Sequence, residues 1–178
     1  MTRPVMTWEP GDFAVVQSRA LVGEAIEWMQ HLSRVTDPHR TGWVHAFIGM
    51  PDGDVVEAEP GGTVRRPFHY DPALVCWSTG RLDPPPTQAQ RMRIIESAQQ
   101  CADRRIGYSG LDYLAIAARQ WHLWAPGLRD YIKDSGHMQC SQETDWCYAR
   151  ASYHLFRGRW AGYVRPYDLA VRIGAPPV

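Results

Sequence analysis

The stretch WVHAFIGMPDGDVVEAE, residues 43–59, predicts a β-hairpin that carries two ionisable residues in apolar strands. Two apolar runs flank the tripeptide Pro-Asp-Gly at 51–53, a composition typical of a tight turn between strands. His45 and Glu57 are ionisable residues inside these apolar runs, where an unpaired polar group is unfavourable. If residues 49–53 make the turn, position 45 faces position 57 and both side chains lie on one face. The sequence therefore predicts a histidine–carboxylate pair, although a structural pair on a solvent-facing side would give the same pattern.

Further elements are predicted on both sides of the hairpin. Apolar residues at helical spacing predict helices at 21–34, 88–105, 111–124 and 140–157. Thr87 and Gln90 form a capping-box pattern at the start of the second of these helices. Short apolar runs predict strands at 12–17, at 73–78 and within 163–174. A proline-rich stretch separates a strand-rich half from a helix-rich half, and neither half is large enough to stand alone. We therefore expect one α+β domain over residues 1–178, with an antiparallel sheet packed against helices.

Composition and charge argue against several functional classes. The 178 residues carry a formal net charge of +0 at pH 7. The chain therefore has no excess of positive charge of the kind that nucleic-acid-binding proteins carry. No stretch approaches the roughly 18 apolar residues of a membrane span, and the N-terminus lacks the apolar core of a signal peptide. We expect a soluble protein, either cytoplasmic or associated with a phage particle. The four cysteines show no Cys-x-x-Cys pair, so they are expected to be reduced thiols.

Cys140 is the candidate nucleophile of the chain. It stands at the predicted start of the helix at 140–157, where unpaired backbone N–H groups and the helix dipole favour a thiolate. Taken alone, a cysteine at a helix start is more often structural. Cys147 lies in the middle of the apolar stripe of the same helix and is expected in the core. A nucleophile also needs a base. Of the seven histidines, only His45 lies within an apolar strand, whereas His137 lies in a glycine-led turn.

The order of these motifs resembles that of a known family. WVHAFIG at 43–49 is followed by GDVVEAEPGG at 53–62, then by QCSQETDWCYARA at 139–151 and YVRPYDLA at 163–170. This order is similar to that of the circularly permuted NlpC-like cysteine peptidases and amidases, including the YiiX-like group. Lecithin:retinol acyltransferase-like proteins share it. The resemblance covers roughly residues 10–173. It implies a papain-like fold in which the histidine strand precedes the cysteine helix.

The resemblance also implies roles for individual residues. Cys140 matches the nucleophile, His45 the general base, and Glu57 the third, polar member of a catalytic triad. Three residues near these motifs are expected to line the substrate cleft: Trp43, Tyr108 and Gln139. The acyltransferase-type members carry asparagine where Gln139 stands. Residues 111–136 match no motif of the family and are expected to shape the substrate site, so the identity of the substrate stays open.

The expected function is cysteine-dependent hydrolysis of an amide or peptide, with peptidoglycan peptides as the substrate that the resemblance implies. Two alternatives stay open: a lipid or thioester acyl hydrolase or transferase with the same triad, and a non-catalytic binding module that keeps the fold. A zinc site from His137, Cys140 and Cys147 is rejected because the two cysteines lie about 10 Å apart along the helix, whereas Zn–S bonds measure about 2.3 Å. No cofactor, metal or nucleic-acid partner is expected, and the oligomeric state stays open.

Overall fold

A computed structural model describes residues 8–17, 42–59, 61–106, 140–158 and 164–177. Within these ranges the chain forms five strands and three α-helices. The strands are β1 (Phe13–Gln17), β2 (Trp43–Gly49), β3 (Asp54–Glu59), β4 (Gly62–Pro67) and β5 (Val75–Trp77). The helices are α1 (Gln88–Arg104), α2 (Cys140–Arg150) and α3 (Pro166–Arg172). The expected α+β class is confirmed, and the predicted helices at 21–34 and 111–124 lie outside the described residues.

The strands form one antiparallel sheet in the order β4-β3-β2-β1-β5. Side chains alternate between the two faces of a strand, and the buried residues accordingly form two clusters. The larger cluster joins one face of the sheet to the helices and includes Phe13, Ile48 and Tyr148. The smaller cluster, on the other face, is built around Phe47 and Tyr70. Both faces of β2 are therefore buried, and an ionisable residue on this strand is shielded from water.

The predicted hairpin of β2 and β3 is confirmed, but its register differs from the expected one. Gly49 is still paired in the ladder. The Met50 N–H closes the turn on the Asp54 carbonyl at 2.8 Å. The expectation that Glu57 directly faces His45 is therefore wrong, because Gly49 continues the strand instead of starting the turn. Extended along both strands, the observed register makes Glu57 the diagonal neighbour of His45.

β4 is the strand that the sequence pattern did not predict. It lies at the edge of the sheet as described, where it pairs with β3. Arg65 on this strand donates to Asp54 at 2.8 Å and to Gln99 at 2.7 Å. An edge strand tolerates charged side chains, and these interrupt the apolar alternation by which strands are recognised. β4 matters for the candidate site because it carries Thr63 and Arg66.

α1 begins as expected, since Thr87 and Gln90 form the predicted capping box. α2 begins at Cys140 as expected but ends at Arg150 rather than at 157. The chain turns away at Ser152, which adopts a left-handed conformation with φ of 57°. Apolar spacing continued past this turn, so the predicted helix was too long.

The predicted final strand within 163–174 is wrong, because Pro166–Arg172 form helix α3. Proline is favoured in the first turn of a helix since its φ is already helical and its missing N–H is not needed there. Asp168 caps the same turn by accepting a hydrogen bond from the Arg165 N–H at 2.9 Å. These local capping signals outweigh the short apolar run that suggested a strand.

α2 packs its apolar stripe into the larger core cluster. Cys147 is fully buried there, as expected, next to Tyr148 and Ala151. All four cysteines are free thiols. No helix within the described ranges combines the length and the apolar character that a membrane span needs.

Candidate active site

His45 on β2 and Glu57 on β3 form the centre of the candidate site. His45 Nε2 lies 2.8 Å from Glu57 Oε2, and both residues are almost fully buried. Diagonal neighbours on adjacent strands are within reach of long side chains, so the pair forms despite the shifted register. The pair is buried rather than solvent-facing, and exclusion of water strengthens a charge-assisted hydrogen bond.

Glu57 is held by more groups than the sequence predicted. The Tyr70 hydroxyl donates to Glu57 Oε2 at 2.5 Å. The Tyr70 ring stacks on Phe47 with the ring centroids 5.0 Å apart. The other carboxylate oxygen forms an ion pair with Arg66 Nε at 3.2 Å and lies 3.9 Å from His69 Nδ1. Because His45 and Tyr70 both contact Oε2, the carboxylate is fixed in orientation as well as in position.

Tyr70 and Arg66 were not found by sequence reasoning. Tyr70 ends the run Phe68-His69-Tyr70, which follows β4 and combines apolar rings with polar tips. Such side chains are suited to a buried site that has one polar partner. The signal was present, but its partner could not be named because the path of the chain here depends on the unpredicted strand β4.

Cys140 is the first residue of α2, and its thiol is close enough to the His45 ring to raise the pKa of the ring. Glu57 occupies His45 Nε2, so Nδ1 is the ring nitrogen left for the thiol. Nδ1 makes no regular hydrogen bond within the described part of the chain. The thiol therefore acts on the ring at close range without the geometry of a regular hydrogen bond.

The beginning of α2 is held in place by its own polar side chains. Residues 140–145 are all buried. The Ser141 hydroxyl donates to the Val164 carbonyl at 2.7 Å, and the Thr144 hydroxyl donates to the Cys140 carbonyl at 2.9 Å. These bonds fix the first turn of the helix, which sets the position of Cys140 relative to β2.

The electrostatics of the site favour a protonated His45. Burial lowers the pKa of His45, but the charges of Cys140 and Glu57 and their hydrogen bonding outweigh burial and raise this pKa to about 10. Burial by itself would raise the pKa of Glu57. Hydrogen bonds from His45 and Tyr70, with the positive charge of His45, lower it instead. Burial and the Glu57 charge raise the pKa of Tyr70, so its hydroxyl stays a neutral donor. The His45 imidazolium therefore lies between the Cys140 sulfur and the Glu57 carboxylate.

Such an array has the parts of an activated nucleophile. The sulfur atom attacks as the thiolate, which a neighbouring imidazolium and a helix N-terminus both favour. The backbone N–H groups of a first helical turn have no partner within the helix. Groups of this kind can stabilise the negative oxygen that forms when a carbonyl carbon is attacked.

A second buried carboxyl group, not found by sequence reasoning, lies beside the array. Glu143 is 2% exposed, and its Oε2 accepts a hydrogen bond from the Thr63 hydroxyl at 2.5 Å. It interacts electrostatically with both His45 and Glu57. The only sequence signal was an acidic residue in the first turn of a helix, which most often reflects the helix dipole.

The three expected cleft residues have different outcomes. Trp43 is 4% exposed and belongs to the core between the sheet and the helices, where its indole N–H donates to the Pro176 carbonyl at 3.3 Å. Tyr108 and Gln139 lie outside the described residues. A role in substrate binding stays a prediction for all three.

The described ranges contain no group of three or more His, Cys, Asp and Glu side chains arranged to hold a metal ion. Comparisons of the chain with protein-family models, with curated proteins and with solved structures found no match. The family resemblance therefore rests on the sequence motifs alone.

Proposed function

We propose that this protein is a cysteine-dependent amide or peptide hydrolase in which Cys140, His45 and Glu57 form a catalytic triad. The observation that carries the proposal is the buried contact series from the Cys140 thiol through the His45 ring to the Glu57 carboxylate. These residues come from the start of a helix and from two neighbouring strands, and each has the side chain that its role requires.

In the proposed first step, the Cys140 thiolate forms a bond to the carbonyl carbon of the substrate. The carbonyl electrons move to the oxygen, where backbone N–H groups at the start of α2 stabilise the charge. When the tetrahedral intermediate collapses, the carbon–nitrogen bond breaks and the His45 imidazolium gives its proton to the leaving amine. The products of this step are a thioester on Cys140, a neutral His45 and the free amine.

In the second step, His45 takes a proton from water, whose oxygen attacks the thioester carbon. The carbon–sulfur bond then breaks, which releases the carboxylic acid and restores the thiolate–imidazolium pair. Glu57 holds His45 in one orientation throughout and stabilises its charged form. This assignment follows the order of the side chains along the contact series.

The fold proposal is a permuted papain-like domain. It is supported by the chain order, in which the histidine strand β2 precedes the cysteine helix α2, and by the packing of α2 against the sheet. Peptidoglycan peptides are the substrate class implied by the family resemblance alone, which is an argument by analogy.

Selective alkylation tests the nucleophile without knowledge of the substrate. At about pH 6 an ordinary thiol is almost fully protonated, so iodoacetamide reacts preferentially with an activated thiolate. We expect Cys140 to be labelled before Cys76, although Cys76 is 8% exposed and Cys140 only 2%. Burial raises the pKa of Cys76, which makes it the matched unreactive thiol. Labelling of Cys76 before Cys140, or labelling of Cys140 that is unchanged in His45→Ala, would contradict the proposal.

A substrate panel separates the proposed activity from its alternatives. Muropeptides, phospholipids and acyl thioesters are incubated with the full chain, and intact mass reveals any acyl group retained on the protein. The hydrolase proposal expects an acyl adduct on Cys140 with peptide substrates and none in Cys140→Ser. Adducts from the phospholipid or thioester alone favour the acyl hydrolase or transferase. Binding of muropeptides that is equal in wild type and Cys140→Ser, without product, favours the binding module.

A further inference from the structure

Glu143 is a buried acid that the proposed triad does not use. It lies in the first turn of α2, three residues after Cys140, so the two side chains project from the same side of the helix. The Thr63 hydroxyl, itself fully buried on β4, donates to Glu143 Oε2 at 2.5 Å. This bond joins the start of the cysteine helix to the edge strand of the sheet.

Support of the helix alone does not account for this arrangement. An acidic side chain near a helix N-terminus is favourable even when it is exposed to solvent. Burial of a carboxylate is unfavourable unless it is paired and hydrogen-bonded. Glu143 is 2% exposed. Its burial is therefore unfavourable in free energy, and stabilisation of the helix does not require that burial.

The ionisable groups around Glu143 come from several elements. His45 on β2 attracts its carboxylate and Glu57 on β3 repels it. On its own helix, Glu143 acts on Cys147, which in turn contacts Cys101 on α1. β4 contributes the uncharged hydroxyl of Thr63. Among these described groups, the imidazolium of His45 is the one positive charge.

We propose that Glu143 is a positioning residue for the Cys140–His45 pair: its carboxylate stabilises the His45 imidazolium, and its bond to Thr63 holds the start of α2 against β4. The proposal rests on the proposed function above. Its effect is secondary to that of the triad, because Cys140 and Glu57 are the groups that dominate the pKa of His45 once burial is set aside.

This role has a distinctive pH dependence. Burial raises the pKa of Glu143 to about 7, against the opposing effects of Thr63 and His45. Below this pH the group is neutral and has no charge with which to act on His45. Above it the carboxylate favours the His45 imidazolium, which is the partner of the thiolate in the proposed pair. A side chain with a purely structural role would affect the reactivity of Cys140 equally at all pH values.

The test measures the rate of Cys140 alkylation by iodoacetamide in the full chain across pH. We expect Glu143→Gln to slow labelling about three- to tenfold at about pH 8, equivalent to roughly half to one pKa unit, and to change it little at about pH 5.5. Glu96→Gln, an exposed glutamate on α1, is the matched control and is expected to follow wild type. Glu143→Asp is expected to recover part of the rate.

Thr63→Val provides a second route to the same answer if Glu143→Gln does not fold. Valine keeps the branched shape but removes the hydroxyl whose hydrogen bond lowers the pKa of Glu143. The rate of Cys140 alkylation is expected to change in a step at the pH where Glu143 ionises. In Thr63→Val this step is therefore expected to move to higher pH. Thr63→Ser is expected to leave the step in place. Rates in Glu143→Gln that are a constant fraction of wild type at every pH overturn the inference, as does an unshifted step in Thr63→Val.

The outcomes for the two proposals are separable. Wild-type Cys140 that shows no preferential labelling at about pH 6 contradicts the proposed hydrolase itself. Preferential labelling of Cys140 in wild type, with a Glu143→Gln profile of the same shape, leaves the triad standing and rejects only the role of Glu143.

Discussion

Replacement of Glu57 by glutamine tests whether this carboxylate controls the protonation of His45. Glutamine keeps the length of the side chain, and its carbonyl oxygen can still accept the Tyr70 hydroxyl that lies 2.5 Å from Glu57 Oε2. The change removes the negative charge 2.8 Å from His45 Nε2. Burial, which lowers the pKa of His45, is then opposed chiefly by the charge and hydrogen bonding of Cys140.

The magnitude follows from the contact that is lost. A hydrogen bond to a charged group contributes about 1.5–3 kcal/mol, and one pKa unit corresponds to about 1.4 kcal/mol. We therefore expect the pKa of His45 to fall by about 1–2 units from its value of about 10. The thiolate–imidazolium pair is disfavoured by the same free energy, so alkylation of Cys140 at about pH 6 is expected to slow about 10- to 100-fold.

Two measurements check this prediction. Nuclear magnetic resonance of the His45 ring gives its pKa, and mass spectrometry gives the alkylation rate of Cys140. Asp54→Asn is the matched control, because Asp54 lies on the same strand but pairs with Arg65 and is partly exposed. An unchanged His45 pKa and alkylation rate in Glu57→Gln would refute the reasoning. Equal slowing in both variants would assign the effect to a general loss of negative charge.

Two further predictions concern the groups around the triad. Tyr70→Phe removes the hydroxyl that donates to Glu57, so the pKa of Glu57 is expected to rise and the free energy of unfolding to fall by about 1.5–3 kcal/mol in denaturant titrations. An unchanged midpoint and slope would contradict this. For Glu143, burial raises the pKa from 4.5 to about 7 in the folded state, so between these values the native state holds a proton that the unfolded state has lost. The free energy of unfolding therefore decreases with rising pH through this group, and Glu143→Gln is expected to remove roughly 2.5 kcal/mol of the decrease between about pH 5 and pH 8. Parallel stability profiles of variant and wild type would show that the group does not titrate as described.

Local signals predicted much of the fold. The Pro-Asp-Gly turn between apolar runs predicted the hairpin, and the Thr87–Gln90 capping box predicted the start of α1. Local signals were misleading where two of them competed. In the last segment the apolar run favoured a strand, while Pro166 and Asp168 favoured a helix, and the helix formed because its first turn is capped.

The identities of the central site residues could be predicted from the sequence, but the contacts between them could not. His45 and Glu57 were recognisable because an ionisable residue within an apolar strand needs a partner. Their direct cross-strand pairing was not correct, since Gly49 continues the ladder and shifts the register. The contacts of Tyr70 and Thr63 could not be predicted, because both depend on an edge strand that has no apolar alternation.

The sequence by itself determined the chemical types of the site residues and the elements that carry them: a histidine and a glutamate in apolar strands and a cysteine at the start of a helix. Periodicity and composition reveal these features because both depend only on residues that are close together in the chain. The tertiary structure decided which atoms meet, with His45 Nε2 on Glu57 and the Cys140 thiol against the same ring. It also decided that Tyr70, Arg66 and Glu143 surround them. These contacts join residues far apart in the chain, and only the packing of the sheet against α2 brings them within the few ångströms over which hydrogen bonds and buried charges act.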